Sequence, residues 1–269
     1  MARPYEAFVR RLDALLRRGA ALPRGTGRPP RLKAPKPGAP TALILAPHPD
    51  DECIVGALPR RLQRQRGWRV AVVPVTLGSR PERRAARLDE LRGACGYLGW
   101  DVLESGERGL AAILRRERPR LVLFPHAGDA NSTHRRVHEL AAAALREAGA
   151  QLRCAVAETE FWATLPDPNL LLAVPPRDAA DLVAALSFHD GEIARNPYHV
   201  LFPCWLADSA RRGAELVGGQ GAAAAPARFA ALYRLSRWTG RALERAKPGR
   251  IAGVKTDLDA LLEGIADEA

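Results

Sequence analysis

Between residues 41 and 158 the chain alternates short β-rich apolar runs with stretches of helical spacing, and few architectures accept that alternation. Strands are expected at 41–46, 69–76, 100–103, 120–124 and 152–158. Ile54, Val55, Leu58 and Leu62 fall on one face of a helix between the first two. The next helix carries stronger signals: Ser79 as N-cap, Glu82 to close a capping box, Pro81 in the first turn and Gly99 as its stop. Ala85, Leu88, Leu91, Cys95 and Leu98 share its inner side. Further helices are expected at 107–117 and at 133–148, where Val137, Leu140, Ala141, Ala144 and Leu145 face inward. Repeated strand–helix–strand units join parallel strands by right-handed crossovers and cover both faces of the sheet. The expected fold is therefore α/β: a Rossmann-like three-layer sandwich with a mostly parallel sheet, in the order 3-2-1-4-5 plus extra strands. No Gly-x-Gly-x-x-Gly follows the first strand, which speaks against a dinucleotide.

Outside this block the pattern is weaker. Phe8, Val9, Leu12, Leu15 and Leu16 alternate with arginines at helical spacing, so residues 5–18 are expected to form an amphipathic helix that docks on the body. Residues 19–39 are rich in Gly, Pro, Arg and Lys and have the composition of a linker. The expected division is an N-terminal helix and linker over 1–39, a catalytic domain over 40–200, and a loop or lid with C-terminal helices over 201–269. Within the last two, 170–174 is an expected sixth strand and 178–188 a helix. Residues 196–226 are expected as a long loop or lid, 227–246 as an aromatic-containing helix and 256–266 as a final amphipathic helix.

A sheet of order 3-2-1-4-5 opens a crevice where strands one and four lie side by side. Strand one runs into Ala46-Pro47-His48-Pro49-Asp50-Asp51-Glu52, where two prolines break the strand and an imidazole and three carboxylates crowd within five residues. Like charges at that density call for a cation. Strand four runs into the polar segment from Pro125 to His138. His48 and Asp51 can converge on one ion, and His134, at the start of a helix, is the expected third ligand. Catalytic zinc takes three such protein ligands and keeps a position for water, whose pKa it lowers to about 7. Asp50 then stands beside the ion as general base. The expected chemistry is hydrolysis of an amide or related carbonyl compound.

Charge composition raises a different class. The net charge of +11 would suit a nucleic acid or an anionic surface. Almost all of it is arginine in an alanine- and glycine-rich chain, which coding bias produces, and no nucleic-acid recognition motif accompanies it. Specific nucleic-acid binding is not expected. No run reaches the roughly 18 apolar residues of a membrane span. The N-terminal region interleaves arginines with its apolar residues instead of forming a secretory h-region, so the expected location is the cytoplasm. Cys53, Cys95, Cys154 and Cys204 form no Cys-x-x-Cys pair, against a zinc knuckle or a disulfide framework.

The Ala46–Glu52 turn, with Thr76-Leu77-Gly78-Ser79, Arg87-x-x-Glu90 and Leu98-Gly99 after it, resembles the LmbE-like/PIG-L family of zinc-dependent N-deacetylases. The resemblance spans roughly residues 41–200. It implies one Zn2+ per chain held by His48, Asp51 and His134, Asp50 as base, Arg87 as a substrate contact, and removal of an N-acyl group, acetyl above all, from an amino sugar or similar small molecule. The family often has His-x-x-His where this chain has Asn131-Ser132-Thr133-His134. Asn131 can donate to an oxyanion but carries no proton to an amine at pH 7. The acid role then falls to His126, to His199 or to a protonated Asp50.

Simpler readings of single residues stand beside these. His138 has the position of a packing or ligand-supporting histidine, and His189 that of either. Cys53 is expected in the core, and Glu52 to orient a neighbouring group. Trp162, Tyr198 and Trp205 suit a sugar-binding floor or the core. Two other functions compete for the whole chain: a Rossmann-like binding module without catalysis, and an arginine-rich scaffold that touches nucleic acid. A homo-oligomer is left open.

Overall fold

The computed structural model describes residues 3–32, 34–104 and 107–267. Residues 1, 2 and 33 of the expected N-terminal extension, and 268–269 of the C-terminal one, lie outside the described residues. Five parallel strands carry the first half of the sheet: β1 (Thr41–Ala46), β2 (Arg69–Pro74), β3 (Asp101–Val102), β4 (Leu121–Pro125) and β5 (Cys154–Thr159). Their order is β3-β2-β1-β4-β5, the expected one. The sheet then continues through β7 (Ala230–Trp238), β6 (Leu170–Ala173) and β9 (Arg250–Ala252), with β8 (Leu243–Arg245) paired to β7. β7 is antiparallel to both β5 and β6, so this mostly parallel sheet has an antiparallel extension.

Side-chain alternation along β1 feeds two cores. Ala42, Ile44 and Ala46 face α3 (Ala57–Arg66), α4 (Arg84–Leu98), α7 (Pro176–Leu186) and α9 (Tyr198–Gly218). Leu43 and Leu45 face α5 (Leu110–Glu117) and α6 (Ser132–Ala148). β1 is fully buried along its whole length, as a parallel strand covered on both faces must be.

Only a short α2 (Asp51–Val55) follows the strand-one turn, with a break at Gly56 before α3. Pro59 explains the break, because it has no N–H to give to the Val55 carbonyl. Tyr233 of β7 supplies the missing donor: its hydroxyl donates to Val55 O at 2.8 Å and accepts from Leu58 N at 3.1 Å. Gly56 permits the crowding, since a Cβ there would come within 2.7 Å of Trp100.

Several expectations need correction. Residues 227–246 are strands, not a helix: apolar residues at 229, 232, 233 and 235 imitate a helical stripe, but β7 is paired on both edges and buried on both faces. Residues 196–226 are mainly α9, not a loop. Pro203 lies only five residues into that helix, and Gly213 lets it press against Leu171 and Leu232. The expected capping box does not form. The turn after β2 opens as a 3-10 turn over Pro81–Arg83, which moves the cap to Arg80 and leaves Ser79 free of that role. The N-terminal helix exists as α1 (Pro4–Ala20), but its apolar side is not docked. Phe8 is 65% exposed and Leu15 61%, no residue of α1 is buried, and the helix meets the body chiefly along α9. The expected strand at 170–174 and helices at 178–188 and 256–266 are present as β6, α7 and α10 (Leu258–Asp267). Among the described residues no helix is long and apolar enough to cross a membrane.

Candidate metal centre

The two polar turns beyond β1 and β4 meet, as adjacency in the sheet dictates. His48 Nδ1 and His134 Nε2 each lie 3.4 Å from the same oxygen, Asp51 Oδ2. The donor atoms of these three residues all fall within 4.8 Å of one another. Metal bonds of about 2.0–2.1 Å at a tetrahedral angle put neighbouring donors roughly 3.3–3.4 Å apart, so the spacing suits one divalent ion better than a set of hydrogen bonds. His134 supports this fit, because it is buried and neither ring nitrogen has a hydrogen-bond partner.

Electrostatics tie the group together. Burial opposes charge on both Asp51 and His134, yet each overrides it in the other. His134 and His48 hold Asp51 below the usual carboxylate range, and Asp51 with Asp129 pushes His134 up to about 10 when no ion competes. Asp129, which the sequence pattern did not single out, is the second acid at this imidazole. Its Oδ2 lies 3.4 Å from His134 Nδ1, while its Oδ1 accepts from Asn131 N at 2.8 Å. An acid five residues before a suspected ligand, in a Gly-Asp loop, was the signal available.

Asp50 sits at φ 120°, a left-handed conformation that costs an L-residue roughly 1–3 kcal/mol. Its N–H donates to Glu52 Oε2 at 2.9 Å, and Glu52 Oε1 meets His189 Nε2 at 2.8 Å and the Cys53 thiol at 3.0 Å. Glu52 thus orients the Asp50 backbone, and His189 is fully buried behind it. The Asp50 carboxyl is pushed well above its ordinary pKa by burial first, then by Asp51 and Glu52, with Arg87 opposing.

A cavity of about 490 Å³ opens over His48, Asp50 and Asp51. Asn131 lines it as the N-cap of α6, and its Oδ1 accepts from Thr133 N at 2.8 Å, so the amide NH2 is the half left for the cavity. Phe161, Trp162 and Tyr198 form an aromatic wall, with Trp205 packed against Phe161 at 5.8 Å. Arg87 lines the cavity 3.9 Å from Asp50 Oδ1 and 3.5 Å from Glu192 Oε1. Glu192 and Arg195, on α8 (Asp190–Arg195), also line it, and neither was singled out in the sequence.

The two histidines expected to share the acid role are elsewhere. His126 is a loop fastener: Nδ1 accepts from Gly128 N at 3.2 Å, which leaves Nε2–H for Ala163 O at 3.2 Å. His199 is buried on α9, outside the cavity lining, and burial first, then Arg24, lowers its pKa. His138 reaches Pro125 O at 3.0 Å and packs edge-on against Phe124.

The chain is similar to known proteins in sequence pattern and in fold. Residues 43–145 match the model of the PIG-L family, described as GlcNAc-PI de-N-acetylase. Among solved structures, the N,N'-diacetylchitobiose deacetylase from Pyrococcus horikoshii superposes with a TM-score of 0.56 at 18% identity, over 87% of this chain and 93% of that one. The 4-carboxy-2-hydroxymuconate hydratase GalB from Pseudomonas putida KT2440 does so at 0.58 and 18% identity, over 77% of this chain and 100% of that one. The zinc-inhibited form of teicoplanin deacetylase Orf2 gives 0.51 at 14% identity, over 73% and 98%. No curated protein matches the chain by sequence. At such identities the structural likeness establishes the α/β fold, and a hydratase among deacetylases means that the fold by itself does not choose the reaction.

Proposed function

We propose that this chain, which matches the PIG-L family model over residues 43–145, is a metal-dependent N-deacetylase that removes an N-acyl group, acetyl above all, from an amino sugar or related small molecule. The observation that carries the reading is the convergence of His48, Asp51 and His134 beneath a cavity beside a buried acid, Asp50. Two imidazoles and one carboxylate suit zinc among the common divalent ions. Zinc held there would supply Lewis acidity, polarising a carbonyl and lowering the pKa of water to about 7.

The chain's own groups divide the remaining work. Asp50, buried beside the three candidate ligands, takes a proton from the attacking water and returns it to the departing amine nitrogen. It therefore serves as both base and acid, the role that Asn131 has no proton to fill. Asn131 presents its amide N–H to the oxygen on which negative charge develops. Glu52 keeps the Asp50 backbone in its unfavourable conformation, so the carboxyl does not turn away. The aromatic wall of Phe161, Trp162 and Tyr198 suits the apolar face of a sugar ring.

The test is acetate release from a panel of N-acetylated amino sugars by zinc-loaded protein, with Asp50→Asn as comparison. The variant should keep its zinc and lose about 10²–10⁴-fold in kcat. No acetate from any member, or undiminished release by Asp50→Asn, overturns the reading.

A further inference from the structure

The cavity has a second charged region that deacetylation does not use. Once Asp50 and Asp51 are set against a divalent ion, the lining holds four guanidiniums, Arg80, Arg83, Arg87 and Arg195, against one carboxylate, Glu192. Arg87 and Arg195 share that carboxylate, Arg195 at 2.5 Å and Arg87 at 3.5 Å. Arg83 has Glu90 at 3.7 Å, beyond hydrogen-bonding reach, and acts on Glu192 from farther away. Among the described residues Arg80 has no ion pair. Exposed arginines outside the cavity fall into both groups: Arg136 has Glu107 at 2.7 Å and Arg211 has Asp208 at 2.8 Å, whereas Arg11, Arg118 and Arg146 have no ion pair among the described residues. What sets the cavity apart is that four guanidiniums line one space above the candidate metal centre.

The backbone also arranges this pair. Arg80 caps the 3-10 turn and Arg83 ends it, with Arg83 N donating to Arg80 O at 3.1 Å. Arg80 is extended just before the turn and Arg83 closes it, and both side chains line the cavity. Gly191, at the start of α8, makes room for Arg83: a Cβ there would collide with the guanidinium. That α8 backbone is in turn held by Gly191 N donating to Glu90 Oε1 at 3.1 Å.

We propose that Arg80 and Arg83 form an anion subsite for a phosphomonoester on the N-acylated substrate. Four guanidiniums against Glu192 and Glu90 leave two positive charges in excess, which one dianion neutralises, whereas a phosphodiester or a single carboxylate leaves one uncompensated, and guanidinium forks match the several oxygens of a phosphate. The inference rests on the deacetylase reading for the reacting end of the substrate and on these arginines for the other.

Binding without turnover separates the two. Zinc-loaded Asp50→Asn protein is titrated calorimetrically with N-acetylglucosamine, its 1-phosphate, its 6-phosphate, the methyl diester of each, and N-acetylmuramic acid as the carboxylate. At least one phosphomonoester should bind about tenfold or more tighter than the neutral sugar and than its own diester, with an advantage that shrinks as salt rises. Arg80→Ala and Arg83→Ala should each remove most of that advantage. Gly191→Ala should do the same, because it displaces the Arg83 guanidinium while keeping the charge. Equal binding of monoester and neutral sugar, no detectable monoester binding at millimolar concentration, or an advantage unchanged in all three variants overturns the subsite. Failure of the deacetylase reading looks different: the monoester preference persists, yet the unsubstituted enzyme releases no acetate.

Discussion

Asp129→Asn would show how much of the metal affinity depends on an acid that is not itself a ligand. The Asp129 carboxylate faces His134 Nδ1 from 3.4 Å in a buried setting, close enough to orient the ring and to favour its charged form without a hydrogen bond. Loss of such a partner typically weakens metal binding about 10–100-fold. A second effect has the opposite sign. In the metal-free protein the His134 ring is pushed up to about 10, so at pH 7.5 binding must first expel a proton, at a cost of roughly 3 kcal/mol for about 2.5 pH units. Asparagine removes part of what raises that pKa and therefore lowers the proton cost. The deficit of the variant should accordingly be small near pH 7 and approach 10–100-fold only near pH 9. Chelator-buffered zinc titrations at both pH values measure it. Calorimetry in buffers of different ionisation enthalpy should also find fewer protons released by the variant near pH 8.5. Equal affinity at both pH values with equal proton release would refute the coupling of Asp129 to the metal through His134.

Two further outcomes follow from buried polar groups. Tyr233→Phe orphans Val55 O and Leu58 N at the α2–α3 break and should cost about 2–4 kcal/mol, seen as a fall in Tm of about 4–8 °C; a change under about 1 °C would mean the bridge is not needed. His199 is held below its ordinary pKa, so the unfolded chain binds a proton near pH 6.5 that the folded chain takes only at lower pH. Stability should therefore be complete above about pH 6.5 and decline below it. Urea midpoints at pH 7 and pH 5 should converge in His199→Leu, and an unchanged acid slope in that variant would assign the loss to other groups.

The parallel half of the sheet was legible because each strand there is a short apolar run bounded by turn residues, and 3-2-1-4-5 is one of the two common orders that the crossover rule allows. The metal centre was legible for the same reason: once strands one and four are neighbours, His48, Asp51 and His134 have nowhere else to meet. Asp129 was not, since nothing local separates an acid that supports a ligand from one that caps a loop. β7 was misread because Leu232, Tyr233 and Leu235, with Phe229 just before the strand, fall at helical intervals, while what makes a strand of them is pairing with residues more than 50 positions away. Pro197, Pro203 and Gly213 disguised α9 in the same manner. The exposed apolar side of α1 also escaped the pattern, which reports that a helix has an apolar side but not whether anything covers it.

The stretch matched by the family model ends at residue 145, but the walls of the cavity do not. Phe161, Trp162, Glu192, Arg195 and Tyr198 all come from the later half of the chain, as does Tyr233, which props the short helix carrying Asp51. The part that makes a reaction feasible is thus written in one portion of the polypeptide, while the part that grips the molecule is divided, with Arg80, Arg83 and Arg87 in that same portion and the aromatic wall in the later one. Mutations can therefore accumulate in the second portion and change the clientele while the chemistry in the first stays as it was.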